Sequence, residues 1–129
     1  MSGEFNENNQ KGYRKLRVFH AAHKLIIETY KVTEKFPKGE LFGLVSQMRR
    51  SAVSVAANII EGHARSRAEF KRFLSIANGS LVELEYYLEL VLELGYINKQ
   101  EYNLLDASRI DAGMLLGGLL KSLKKHPDS

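Results

Sequence analysis

Residues 41–61 read LFGLVSQMRRSAVSVAANIIE and residues 66–94 read SRAEFKRFLSIANGSLVELEYYLELVLEL, with GHAR between them. In the first stretch Leu41, Val45, Met48, Ala52, Val55 and Ile59 recur at steps of three and four. In the second, Phe70, Leu74, Ala77, Leu81, Leu84, Leu88 and Val91 do the same. That is the α-helical period, and no strand repeats that way. The pair therefore predicts two long helices in a hairpin, over about 40–61 and 66–94. Gly62 is expected as the left-handed stop of the first, and Gly95 ends the second. Ser66 and Glu69 form a capping box at the start of the second.

Working outward, Val18, Phe19, Ala22, Leu25, Ile26, Thr29, Tyr30, Val32 and Phe36 predict a helix over about 14–35. Pro37 ends it, because the residue before proline is pushed out of the α region. Downstream, Asn98 and Glu101 make another capping box, and Tyr102, Leu105, Ile110, Met114, Leu116, Leu120 and Leu123 carry a helix over about 98–124. Gly113, Gly117 and Gly118 lie inside it and are expected to mark close backbone packing or a weaker helix. The fold class is all-α, an up-down-up-down four-helix bundle over 13–125. Residues 1–12 and 126–129 are expected as tails, the first of them disordered.

The chain has 129 residues, enough for one hydrophobic core without metal or disulfide. Cysteine is absent, which removes thiolate chemistry and Cys-based zinc sites. The first residues, MSGEFNE, carry no basic segment followed by an apolar run, and no stretch approaches the roughly 20 apolar residues of a membrane span. A cytoplasmic protein without membrane contact is the expectation. The formal charge of +4 permits contact with nucleic acid without demanding it.

A turn near residue 64 places Arg49 and Arg50 opposite Val82, Glu83 and Glu85, and predicts an interhelical ion-pair network or an arginine turned outward to a phosphate or a neighbouring subunit. Arg65, Arg67, Lys71 and Arg72, with His63, cluster where the amides of a helix start face solvent, which suits an anion. Asn58 is expected as a buried amide setting helix register, and Glu61 as a partner of Arg65 or Lys71. Tyr86 and Tyr87 diverge by about 100° and cannot face the same helix, so one of them is an interface candidate. His20 and His23 are three apart, yet no carboxylate sits at a matching position, so no metal and no cofactor is expected. Di-iron bundles use Glu-x-x-His, which the sequence lacks. It also lacks a phosphate-binding P-loop and a nucleophile elbow. No catalytic residue is assigned and no enzyme is expected.

Phe36-Pro37, Glu40, Phe42-Gly43-Leu44, Ser46 to Val55, Asn58-Ile59, Glu61-Gly62, Glu69-Phe70, Phe73-Leu74, Ile76 to Ser80, Glu83 to Tyr86 and Leu94 to Tyr96 together resemble the bacterial 23S ribosomal RNA intervening-sequence proteins, also labelled S23 ribosomal proteins. The resemblance covers about residues 18–123. It departs at Ile60, where alanine is usual, and in the glycine-rich stretch of the last helix. It implies a cytoplasmic bundle assembled as a ring-shaped homopentamer. A distant relative, the accessory protein of diversity-generating retroelements, binds nucleic acid and a reverse transcriptase. The resulting expectation is a non-enzymatic self-assembling scaffold or accessory protein that binds RNA or DNA through a basic rim. A purely structural oligomer is the alternative, and a small-ligand binder a remoter one.

Overall fold

The computed structural model of the chain describes residues 12–125. Apart from Gly12, the tails expected at 1–12 and 126–129 lie outside the described residues. Within them stand four α-helices, α1 (Arg17–Thr33), α2 (Ser46–His63), α3 (Arg67–Glu93) and α4 (Lys99–Lys125), and no strand. Each packs chiefly on two neighbours in the cyclic order α1, α2, α3, α4, and the α2–α3 contact is the most extensive. Every cross-helix polar contact is antiparallel. Arg49 of α2 reaches Thr33 at the end of α1, Ser51 and Ser54 reach Glu83 and Ser80 of α3, Arg109 of α4 reaches Glu85, and Ser108 reaches Glu28 of α1. This is the expected up-down-up-down bundle.

The core follows the expected stripes closely. Leu25, Met48, Val55, Ile59, Leu74, Leu84, Leu88, Leu105 and Leu116 are all fully buried. Thr29 and Thr33 are buried too, and each hydroxyl donates to the carbonyl four residues back, Leu25 O and Thr29 O, at 2.7 Å. That satisfies a polar group inside an apolar seam. Not every assigned core position holds. Leu41, Ile110 and Met114 stand exposed on the outside of the bundle. So do Ile76 on α3 and Leu94 just after it.

The α3–α4 turn is built from local rules. Gly95 has φ +78°, Gly95 N–H donates to Leu92 O (3.1 Å), and Tyr96 N–H donates to Val91 O (2.9 Å). These are the two bonds of a Schellman stop. At the start of α4, Glu101 N–H donates to Asn98 Oδ1 (2.8 Å) and Asn98 N–H donates to Glu101 Oε1 (2.9 Å), a complete capping box.

Four local expectations are corrected. First, α1 is shorter than 14–35, with a separate 3₁₀ turn at Gly12–Lys15 before it. Second, α2 does not begin smoothly at residue 40. Lys38–Glu40 form a 3₁₀ turn and Leu41–Val45 a π-helical turn, with Gly43 outside helical space at φ −108°, ψ −111°. The Glu40 carboxylate caps this turn by accepting from Leu44 N–H at 3.3 Å and from the Tyr96 hydroxyl at 2.8 Å. Third, Gly62 is no left-handed stop. It lies buried within α2, and a Cβ there would come 2.7 Å from Phe73 Cβ and 2.9 Å from Phe70 Cδ1. Fourth, Gly117 and Gly118 face open space, and a Cβ on Gly113 would meet only Leu81 Cδ1 at 3.9 Å. Close backbone packing does not explain the glycines of α4.

Candidate functional site: the outer faces and the basic rim

Two surface regions have the chemistry to meet a partner. The first lies across α1 and α2, beside the π-helical turn. That turn throws Phe42 outward until it is 92% exposed, with Leu41 and Val53 exposed beside it. Two adjoining hollows of about 470 Å³ and about 450 Å³ share Leu41, Val45 and Arg49 as walls. Arg49 is held rigidly here. Its Nε donates to Thr33 Oγ1 (2.9 Å), its Nη2 to Tyr30 O (3.4 Å), and its guanidinium lies 4.3 Å from the centre of the Tyr30 ring. A cation over an aromatic face is attracted by the ring quadrupole.

This placement corrects the expected arginine–glutamate network. The contacts Ser51–Glu83 and Ser54–Ser80 set the α2–α3 register almost one helical turn away from that implied by a turn near residue 64. Arg49 points to α1 because it lies two residues before Ser51, about 200° round α2 from the side that meets α3. Glu83 accepts from the Ser51 hydroxyl, and Glu85 pairs with Arg109 at 3.3 Å, which also grips Asp106 at 2.8 Å. Arg50 stands exposed at the edge of the same hollow, and among the described residues no carboxylate lies within ion-pair distance of Arg49 or Arg50.

The second region is the basic rim at the α2–α3 turn. Ser66 caps α3, its Oγ accepting from Glu69 N–H at 3.3 Å. Arg65 pairs with Glu61 and Arg72 with Glu69, the latter at 2.8 Å. Arg72 holds the Glu69 carboxyl below its ordinary value, and Glu69 in turn raises the guanidinium. The guanidiniums of Arg65 and Arg72 also lie 5.2 Å and 4.5 Å from the centre of the Phe73 ring. Two of the four rim cations are thus already matched by a carboxylate, while Arg67 and Lys71, both half-buried, enter no ion pair among the described residues. Phe73 thus supplies an aromatic ring beside the two arginines.

Asn58 is half-buried and turned along its own helix. Its Nδ2 donates to Ser54 O (2.8 Å) and Ser54 Oγ (3.0 Å), and Ser80 Oγ donates to Ser54 Oγ (2.9 Å). It sets register through Ser54, not by reaching α3 itself. Tyr86 is 59% exposed, whereas Tyr87 is half-buried and its hydroxyl is made less acidic by burial and by Glu83. The rings of His20 and His23 lie against Phe19, and among the described residues no group of three or more His, Asp or Glu is placed to hold a metal. Nor is any described helix long and apolar enough to cross a membrane.

Sequence reasoning missed Arg49's stack on Tyr30 and the prominence of Phe42. The first has no sequence signal, because the two residues meet only through the α1–α2 packing. The second had one, an apolar residue beside a glycine just after a helix break.

The sequence profile described as "23S rRNA-intervening sequence protein" matches residues 14–118. A crystal structure of a protein of unknown function from the S23 ribosomal protein family of Bacteroides thetaiotaomicron VPI-5482 superposes with a TM-score of 0.75 at 27% identity, covering 81% of this chain and 95% of that one. No curated protein matches the sequence.

Proposed function

The chain belongs to the 23S rRNA-intervening sequence protein family, and from that premise we propose that it is a non-enzymatic, self-assembling helical module that serves as a scaffold or accessory protein in the cytoplasm. The observation that carries this is apolar surface left over after the core is filled. Phe42, Leu41, Val53, Val82, Tyr86, Ile110 and Met114 are all exposed on a bundle whose inward stripes are already buried. Monomeric soluble proteins rarely leave large apolar patches bare, and patches rimmed by polar residues are commonly contact surfaces. The resemblance to the family points to a homopentamer. The polar clusters argue against catalysis, because Ser54–Asn58–Ser80 and Glu85–Arg109–Asp106 are spent on internal hydrogen bonds and ion pairs. Multi-angle light scattering at micromolar concentration is expected to give a discrete multiple of the chain mass. A monomer would refute the proposal.

A second reading adds nucleic acid. Arg67 and Lys71, beside Arg65 and Arg72, give the α2–α3 end a positive excess that assembly would repeat around one rim, strengthening the local field. Titration with ribosomal RNA fragments at two salt concentrations tests it, since phosphate contacts weaken steeply as salt rises. Replacing Arg65, Arg67 and Arg72 with glutamine should abolish that binding. Unchanged affinity would remove the rim from consideration.

A further inference from the structure

The charge pattern of the chain is divided between opposite sides of the bundle. Residues 41–60 carry Arg49 and Arg50 and no acidic residue, while residues 73–98 carry Glu83, Glu85, Glu89 and Glu93 and no Lys or Arg. Because α1 and α2 are neighbours and α3 and α4 are neighbours in the cyclic order, the α1–α2 and α3–α4 faces look away from each other.

Both faces carry exposed apolar side chains. On the α1–α2 face these are Phe42, Leu41 and Val53, beside the hollows walled by Arg49 and edged by Arg50. On the other side, Val82 and Tyr86 stand four apart on α3, 56% and 59% exposed, and Ile110 and Met114 four apart on α4, with Met114 72% exposed. A spacing of four keeps each pair on one side of its helix. The Glu85–Arg109 ion pair and the approach of Leu81 to Gly113 bring the two pairs to the same levels of the α3–α4 seam. Glu85, Glu89 and Asp106 gather around Tyr102 there, three carboxylates against two cations, Arg109 and the Lys99 ammonium 4.8 Å from the centre of the Tyr102 ring. One face is apolar and framed by arginines without carboxylate partners. The other is apolar and framed by an excess of carboxylates.

We propose that the α1–α2 face of one molecule packs on the α3–α4 face of the next, head to tail, with Phe42 as the apolar anchor and Arg50 set against the carboxylates of the α3–α4 seam. This rests on the self-assembly reading and deepens it by naming the two surfaces. Different patches on the two partners make the contact heterologous, and such contacts build rings when the rotation closes and filaments when it does not. Like-charge juxtaposition disfavours either face meeting its own copy.

The test uses the full chain in two variants, each altered at exposed positions only. One carries Phe42→Asp and Val53→Asp; the other carries Val82→Lys and Met114→Lys. Circular dichroism and thermal melts check that both fold. Each variant alone is expected to fall to the mass of a single chain, 14.6 kDa. Mixed in equal amounts they are expected to form a dimer and stop there, because each supplies the one intact face that the other lacks. If the unaltered protein is itself monomeric, the self-assembly reading fails and the face assignment with it. If the unaltered protein assembles and either variant still does so, that reading survives and these faces are wrong. If both variants are monomeric and the mixture stays so, the two faces do not meet each other and the head-to-tail arrangement is overturned.

Discussion

Gly95 and Gly62 have the same apparent role in the sequence, each the glycine at the end of a long amphipathic helix. The structure uses them for unrelated purposes. Gly95 adopts φ +78° and closes a Schellman stop whose partners, Leu92 and Val91, are its own chain neighbours. Gly62 keeps helical geometry one residue before α2 ends at His63, and its missing side chain is the space into which Phe70 and Phe73 of α3 fit. Glycine's permissive backbone serves the first, its lack of bulk the second. A glycine at a helix end therefore reports a local requirement or a tertiary one, and the flanking sequence does not say which.

That contrast can be broken or sharpened by substitution. Gly62→Ala should have the largest effect. Its new methyl group meets Phe73 Cβ, an atom tied directly to the backbone of α3, so the helices must part; overpacking of this kind costs about 1–3 kcal/mol. Urea denaturation should register that loss, and a neutral result would mean that the α2–α3 contact is looser than described. Gly95→Ala should cost about 1–2 kcal/mol, the strain of an L-residue in left-handed space. It should leave the α2–α3 packing untouched, so near-ultraviolet spectra should hold while stability falls.

Gly118→Ala runs the other way. Nothing lies within 4 Å of a Cβ built there, so alanine should stabilise α4 by about 0.8–1 kcal/mol and raise the melting temperature. A fall in stability would show that the glycine meets something outside this chain.

The smallest effect belongs to Glu101, whose carboxylate accepts from Asn98 N–H and pairs with Lys35. Lys35, and then the Asn98 amide, hold its pKa below the ordinary carboxylate value of 4.5. A carboxylate with a depressed folded value binds protons more readily when unfolded. Its contribution is therefore complete above the unfolded value and lost as pH falls through the folded one. Glu101→Gln keeps an acceptor for the cap and removes the charge. It should cost about 0.2–1 kcal/mol at neutral pH, and the difference from the unaltered protein should close as the pH falls through the lowered folded value. A difference independent of pH would assign the loss to the cap alone.

Helix identity, the buried stripes, the α3–α4 turn and the caps at Ser66 and Asn98 were legible because each depends on residues three to five positions apart. The candidate site was legible only in pieces. Glu61–Arg65 was anticipated, since the two stand four residues apart where α2 runs into its turn. The expected pairing of Arg49 and Arg50 with Glu83 and Glu85 did not form, because it depended on which side of α2 meets α3, and that rotation is set by Ser51, Ser54 and Gly62 meeting α3. Ile110 and Met114 read as core because their spacing fits the apolar stripe, yet Leu105, Ala112 and Leu116 already fill the inward arc of α4.

By itself the sequence determined that this chain makes four helices, where they begin and end to within a turn except at the start of α2, and most of the residues that fill their common interior. Periodicity and capping act along the chain, so they can be read along it. Only the tertiary structure decided which arginine meets which partner, how Glu40 and Tyr96 clasp the π-helical turn that exposes Phe42, and which apolar residues remain on the outside. Those outcomes depend on how far apart two helices stand and how they are rotated, quantities set by interlocking side chains from distant segments.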